Sequence, residues 1–251
     1  MNIVCAADKH LSQAEQAVVD YINKKQGIIN LLSISDIAEG AFVSNATVSR
    51  AIRKCGFKSL SEMKFRLTRA ETEDEESYKV NEILQKSYVE VLETIKGIDI
   101  DSILRIATLL KQAKKIYILA NGVTALVADE FAFQLQCQRM DVCVFSDSEM
   151  MRRMDLLARP GDLVIILSVK NSGPGLVDGA RLARQAGAKV VVCCCQQGTA
   201  LDGVSDIQVY GTAQSITTNR LFGCISRISL FIITRTIVEY LLTSEEGNGE
   251  S

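Results

Sequence analysis

The chain has one histidine in 251 residues, no tryptophan and only two prolines. A lone imidazole, His10, leaves no second member for a histidine metal site or a histidine acid–base pair. So few prolines beside sixteen glycines and 47% hydrophobic residues exclude disorder for most of the chain and indicate a compact helix-rich or α/β protein of one or two domains. Asp8, Lys9 and His10 interrupt the N-terminus before a secretory-type apolar run can form. No uninterrupted apolar segment reaches the roughly 20 residues that cross a bilayer. These absences predict a cytoplasmic protein with no membrane partner.

Cysteine is not scarce, but its pattern lacks what a metal site or a disulfide scaffold would show. There are eight, without ligand-type spacing, and Cys193 to Cys195 are consecutive at the end of the apolar run Val190 to Val192. They read as reduced core thiols. A redox-sensing role for the triplet lacks the positive surroundings that lower a thiol pKa. The sequence requires no cofactor and no metal.

A surplus of either charge is missing overall, yet the near-neutral total hides an asymmetry. Residues 1–70 carry ten Lys/Arg against six Asp/Glu, whereas residues 71–251 carry eighteen against twenty-four. From Ser44 to Arg69 there are seven basic residues and one acidic residue, Glu62. A local basic surplus on a neutral protein fits binding to a specific duplex better than a general affinity for polyanions.

That surplus overlaps the stretch Leu32 to Phe57, LSISDIAEGAFVSNATVSRAIRKCGF. Ile34, Ile37 and Ala38 share one face of a short helix, and Gly40 to Val43 break the pattern as a turn. Ser44 is a suitable N-cap, able to accept from the backbone N–H of Ala46 or Thr47. Val48 and Ile52 then recur as a buried side, opposite Asn45, Thr47, Ser49, Arg50, Arg53 and Lys54. Amide and hydroxyl groups near a helix N-terminus, followed by guanidinium and ammonium groups, suit a helix that reads a DNA groove. The plainer reading is a solvated helix of a small helical domain.

In chain order, Ser12 and Glu15 have capping-box spacing for a helix from Ser12 to Lys24, and Ser59 to Arg69 predicts a fourth helix of this domain. Glu71 to Glu76, ETEDEE, reads as a solvated joint. Helices follow at Val80 to Ile95 and Asp101 to Gln112. Then apolar Ile116 to Ala120, Val142 to Phe145, Asp162 to Ser168, Lys189 to Cys194 and Ile207 to Tyr210 alternate with helical Ala125 to Gln138, Ser148 to Ala158 and Leu176 to Ala186. Such alternation predicts right-handed crossovers and a parallel sheet covered on both faces. A long helix from Asn219 to Leu242, apolar on more than one side, closes the domain and predicts self-association. The expected domains are 1–70, a joint and linker helix over 71–98, the α/β domain over 99–243, and a frayed tail over 244–251.

Ligands of such a sheet bind at the carboxyl ends of its strands. Two loops qualify: Ala120 to Thr124, and Ser168 to Gly175. Both hold small and hydroxyl residues, as a cradle of backbone amides for an anion must, and both also suit plain βα turns.

Together these parts resemble the RpiR/MurR family of bacterial transcription regulators, an N-terminal helix-turn-helix domain joined to a C-terminal SIS (sugar isomerase) domain. Leu11-Ser12-Gln13-Ala14-Glu15 resembles the family's opening LTxAE. Ser35 to Ala38, Val43 to Arg50 and Gly56 to Leu60 resemble its helix-turn-helix core. Ala120-x-Gly122-x-Thr124-x-x-x-Ala128 resembles the first SIS loop, GxGxSxxxA, and Ser226-Arg227 the closing serine-arginine pair. The SxSGxT loop departs: Ser168 stays, but Lys170, Asn171 and Gly173 replace the second serine, the glycine and the threonine.

The resemblance implies an all-α DNA-binding domain followed by an α/β SIS domain. It also implies operator DNA as a partner, homo-oligomers formed through the SIS domain, and control by a phosphorylated sugar or related anion. The expected DNA-binding residues are Ser44, Asn45, Thr47, Ser49, Arg50, Arg53, Lys54 and Lys58. The expected ligand-binding residues are Asn121, Gly122, Thr124, Ser168, Lys170 and Ser172, with no catalytic or metal-binding residue. Two alternatives stand beside this. One is a sugar-phosphate isomerase with an added basic domain, whose base would be Asp129, Glu130 or Glu149. The other is a regulator whose SIS domain only oligomerises.

Overall fold

A computed structural model describes residues 11–71, 75–170, 173–213, 215–216 and 224–246. The chain divides into two compact units, Met1–Val89 and Glu90–Ser251.

The first unit is helical. Helix α1 (Gln13–Lys24) starts in the capping box foreseen from Ser12 and Glu15. A 3-10 helix over Gln26–Leu31, which periodicity did not predict, leads to α2 (Ile34–Gly40), itself opened by a capping box between Ser33 and Asp36. Helix α3 (Asn45–Lys54) and helix α4 (Leu60–Glu71) follow. Val18, Val19 and Ile22 of α1 bury against Ile37 and Ala38 of α2 and Val48, Ala51 and Ile52 of α3. Gly40 is required by this packing, because a Cβ there would lie 2.2 Å from the Tyr21 ring. The expected joint at 71–76 is shorter than foreseen: Glu71 ends α4, Glu75 already begins α5 (Glu75–Gly97), and the intervening residues lie outside those described.

Helix α5 runs across the boundary between the units. Its last turns belong to the second, where Thr94, fully buried, donates to the Ser229 hydroxyl at 2.8 Å and accepts from the Thr212 backbone N–H at 2.9 Å. Ser229 in turn donates to the Thr212 carbonyl. Helix α6 (Ile100–Gln112), capped by Asp99, completes the approach to the sheet.

Strands β1 (Ile116–Leu119), β2 (Val142–Phe145), β3 (Leu163–Ser168), β4 (Lys189–Cys194) and β5 (Ile207–Tyr210) form one parallel sheet in the order β2-β1-β3-β4-β5. Alternate residues serve opposite faces. Ile116, Ile118, Ile165 and Val191 bury beneath α6, α7 (Ala125–Cys137) and α11 (Ile228–Glu246). Tyr117, Leu119, Val164 and Val192 bury beneath the short helices α8 (Ser148–Met151) and α9 (Met154–Leu157) and beneath α10 (Pro174–Gln185). The parallel sheet with helices on both faces is thus as expected.

Three expectations are corrected. The helix foreseen from Ser148 to Ala158 is broken, because the backbone leaves the helical region at Arg153, with Met151 and Met154 both fully buried on either side. The last helix begins at Ile228, not Asn219: β6 (Ser215–Ile216) and β7 (Cys224–Ile225) form an antiparallel pair there, and short apolar runs do not distinguish strand from helix. Leu221 lies outside the described residues. The thiols are not uniformly core groups, since Cys137 is exposed, and Cys55 is disulfide-bonded rather than reduced. Burial raises the Cys193 thiol pKa and pushes that of Cys195 up to about 12, which argues against ready thiolate formation there.

Candidate functional site

Two candidate sites lie in the two units, one in each. In the first, Ser44 caps α3 by accepting from the Thr47 backbone N–H, a cap worth about 1 kcal/mol. This leaves Ser44, Asn45, Arg50, Arg53 and Lys58 exposed and Ser49 half-buried. The Asn45 amide reaches the Ser35 hydroxyl at 3.3 Å, joining the starts of α2 and α3.

Two side chains of the expected outer face, Thr47 and Lys54, and one further basic residue, Lys64 on α4, are held by neighbours. Thr47 is buried, because its hydroxyl turns back to the Ser44 hydroxyl at 3.0 Å; it also accepts from Arg50 at 3.1 Å, so it orients that guanidinium. Lys54 is held by Glu15 at 2.6 Å, tying the end of α3 to the start of α1. The Lys54 hydrogen bond is the largest influence holding the Glu15 carboxyl down at about 2, followed by the Ser12 backbone N–H. Lys64, part of the basic surplus, donates to the carbonyls of Leu32 at 2.6 Å and Asn30 at 3.2 Å. These two bonds brace the 3-10 segment, and burial lowers the Lys64 pKa.

In the second unit the strand order reverses between β1 and β3, where neighbouring crossovers leave a crevice at the carboxyl ends. A cavity of about 230 Å³ opens there. Its polar wall is Asn121, Thr124, Ser168, Lys170 and Arg227, and its apolar wall is Leu167, Val169, Leu176 and Ile225, with Gly173 between. Gly173 keeps the mouth open, since a Cβ would come within 2.7 Å of the Asn121 amide nitrogen. Thr124 and Ser168 are buried, whereas Lys170 is exposed.

Of the expected ligand residues, the structure brings together Asn121, Thr124, Ser168 and Lys170. Gly122 opens a 3-10 turn nearby without lining the cavity, and Ser172 lies outside the described residues. Arg227 was not foreseen as a site residue. One of its terminal nitrogens donates to the Ile225 carbonyl, while its Nε is buried without a hydrogen-bond partner among the described residues. Its only signal in the sequence was its place in the serine-arginine pair, which says nothing of proximity to loops more than fifty residues earlier.

Asp129, Glu130 and Glu149 are exposed and none lines the cavity; Glu149 instead pairs with Arg153 at 2.9 Å. Among the described residues there is no cluster of three or more His, Cys, Asp or Glu fit to hold a metal, and no helix long and apolar enough to cross a membrane.

Comparison with known proteins matches the same two parts. Residues 1–73 match the helix-turn-helix domain of the rpiR family, and residues 109–236 match the SIS domain. An uncharacterised HTH-type transcriptional regulator of Thermotoga maritima is 28% identical over 92% of this chain and 87% of its own length. HTH-type transcriptional regulator HexR of Pseudomonas aeruginosa is 29% identical over 72% of this chain and 68% of its own. Among solved structures, the Vibrio vulnificus NanR protein complexed with ManNAc-6P shares the fold at a TM-score of 0.60 and 24% identity, covering 93% of this chain and 88% of that one. The sugar isomerase domain of an RpiR transcription factor from Sphaerobacter thermophilus gives 0.59 at 14% identity, over 65% of this chain and 91% of that one. With the capped, cation-bearing helix α3 in the first unit and a switch-point cavity in the second, the chain belongs to the RpiR family of helix-turn-helix transcriptional regulators with a SIS domain.

Proposed function

We propose that this regulator is controlled by a phosphorylated sugar or related anionic carbohydrate held in the cavity at the ends of β1 and β3, and that it catalyses no reaction on it. The observation that carries this reading is the convergence of the Thr124 and Ser168 hydroxyls with Lys170 and Arg227 around one cavity. Hydroxyls supply neutral hydrogen bonds to phosphate oxygens, and each cation supplies a charge-assisted one roughly twice as strong. Lys170 thereby replaces the hydroxyl that the altered loop lacks. The apolar wall excludes water from the carbon face of a sugar. An aldose–ketose isomerase needs a base beside the substrate carbon, and the cavity wall carries neither carboxylate nor imidazole among the described residues. NanR, solved with ManNAc-6P, supports the ligand class.

In the same reading, Asn45, Ser49, Arg50 and Arg53 contact the operator, with Ser44 and Lys58 at its phosphates, while Thr47 and Lys54 serve as supports. The protein acts as a homo-oligomer. Phe231, Tyr240 and Leu242 remain exposed on α11 although Leu230, Ile233, Ile237 and Leu241 already bury one stripe of that helix.

Calorimetry and thermal shift on the full chain with N-acetylmannosamine 6-phosphate, hexose phosphates and sugar acids test the ligand. A binder should lose about tenfold or more in Lys170→Ala, the range of a charge-assisted hydrogen bond. A binder held equally by Lys170→Ala places the lysine outside the site. Absence of binding in both classes favours a SIS domain that only oligomerises, and sedimentation of the full chain then decides whether it does.

A further inference from the structure

The turn between α2 and α3 holds a residue that the fold does not need in its present form. Phe42 has a φ of 56°, in the left-handed region that penalises any residue with a Cβ and that glycine or asparagine occupies most readily. Its side chain is 95% exposed, the most of any large apolar residue among those described; Ile100, at 71%, is next. A phenyl ring there adds almost no buried area to the first unit. It also keeps the backbone in a conformation that glycine or asparagine would adopt at less cost. Both observations run against a structural role, and they are independent of each other.

Its position indicates what it touches. Phe42 lies two residues before the N-cap Ser44, and Ser44, Asn45 and Ala46 are all exposed beside it. This is the end of α3 that enters the groove in a helix-turn-helix protein. DNA offers apolar surface in two places within reach of that end: the C5-methyl group of thymine and the deoxyribose edge. Charge readout by Arg50 and Arg53 does not recognise either of them.

We propose that Phe42 is a DNA-contacting residue, its ring set against a thymine methyl or a deoxyribose of the operator at the N-terminal end of α3. The proposal rests on the reading of α3 as the recognition helix. It makes the turn a second, uncharged element of recognition.

The test uses the full chain and an operator obtained by selection from random DNA. Phe42→Gly and Phe42→Asn should melt no lower than the wild type, since both accept the left-handed backbone. Each should bind the operator about tenfold more weakly, as expected for loss of one base contact. The slope of affinity against salt should stay unchanged, because no charge is removed. Replacing operator thymines one at a time by deoxyuridine distinguishes the two sources. If a methyl is the partner, one position weakens the wild type and leaves Phe42→Gly unaffected; if deoxyribose is, none does, yet the variants still bind weakly. Operator affinity equal to the wild type in both variants overturns the proposal, and a simultaneous fall in oligomer mass would assign the ring to a contact between copies. Arg50→Ala serves as the control: if it too leaves affinity unchanged, the recognition-helix reading fails, whereas a loss confined to Arg50→Ala overturns the role of Phe42 alone.

Discussion

The two sites of this protein are built in opposite ways. On the proposed reading head, the candidate contact side chains project from one short helix whose inner side is fixed by Val48, Ala51 and Ile52. In the SIS domain they come from three places distant in the chain, Asn121–Thr124, Ser168–Lys170 and Arg227, and meet only because the sheet order reverses between β1 and β3. A site on one helix depends on that helix being capped and packed. A site at a switch point depends on the whole sheet. Damage should therefore spread differently through the two.

The largest effect should come from the sheet core. Phe131 is fully buried on α7, and Phe131→Ala should cost about 3–5 kcal/mol in chemical denaturation, with ligand affinity falling although no cavity residue has changed. A loss below 1 kcal/mol would show that the cavity does not need the packing beneath it. Next comes the reading head. Arg50→Ala and Arg53→Ala should each cost about 1–3 kcal/mol of operator affinity while leaving the melting temperature within a degree or two, because both side chains are exposed. Titration of labelled operator measures this, and equal affinity in both variants would remove α3 as the reading element. Gly40→Ala sharpens the contrast from the other side. It places a methyl against Tyr21, should cost about 1–3 kcal/mol by overpacking, and should weaken DNA binding through misplacement of α2 and α3.

The smallest effect concerns Glu15. Its carboxyl is held at about 2 against an ordinary 4.5, first by Lys54. A carboxyl depressed in the folded state adds stability that is complete above the unfolded value and disappears as pH falls through the folded one. Melting temperature should therefore fall more steeply from pH 4.5 to 2 in the wild type than in Glu15→Gln. The difference is modest because Lys54 is part-exposed and solvent screens the pair. Parallel profiles would mean that the pair does not fasten α3 to α1.

The same contrast explains what could be read from the sequence. The helix-turn-helix was legible because its caps, turn and apolar spacing lie within one continuous stretch, and the strands because their apolar runs alternate with helical ones. Thr47 was misplaced because a hydroxyl beside an N-cap can turn inward to Ser44, which periodicity on a helix face does not reveal. Lys54 and Lys64 were counted as surface charge because their partners, Glu15 and the carbonyls of Asn30 and Leu32, are 39, 34 and 32 residues away. Arg227 was missed as a cavity-lining residue for the same reason, and β6 and β7 because strands of two residues carry no period.

The buried hydroxyl pair of Thr94 and Ser229, closed by the Thr212 backbone at the end of α5, sets a rule for recombination. Glu90 and Thr94 belong to the interior of the second unit although they sit on a helix that starts upstream of it. A sensor fragment cut at Gly97, the end of α5, would lose Thr94 and leave the Ser229 hydroxyl and the Thr212 amide without their partner. An exchange of reading heads between relatives should therefore be spliced before Glu90, in the part of α5 assigned to the first unit. There the incoming head can bring its own sequence without opening a hole in the recipient's core.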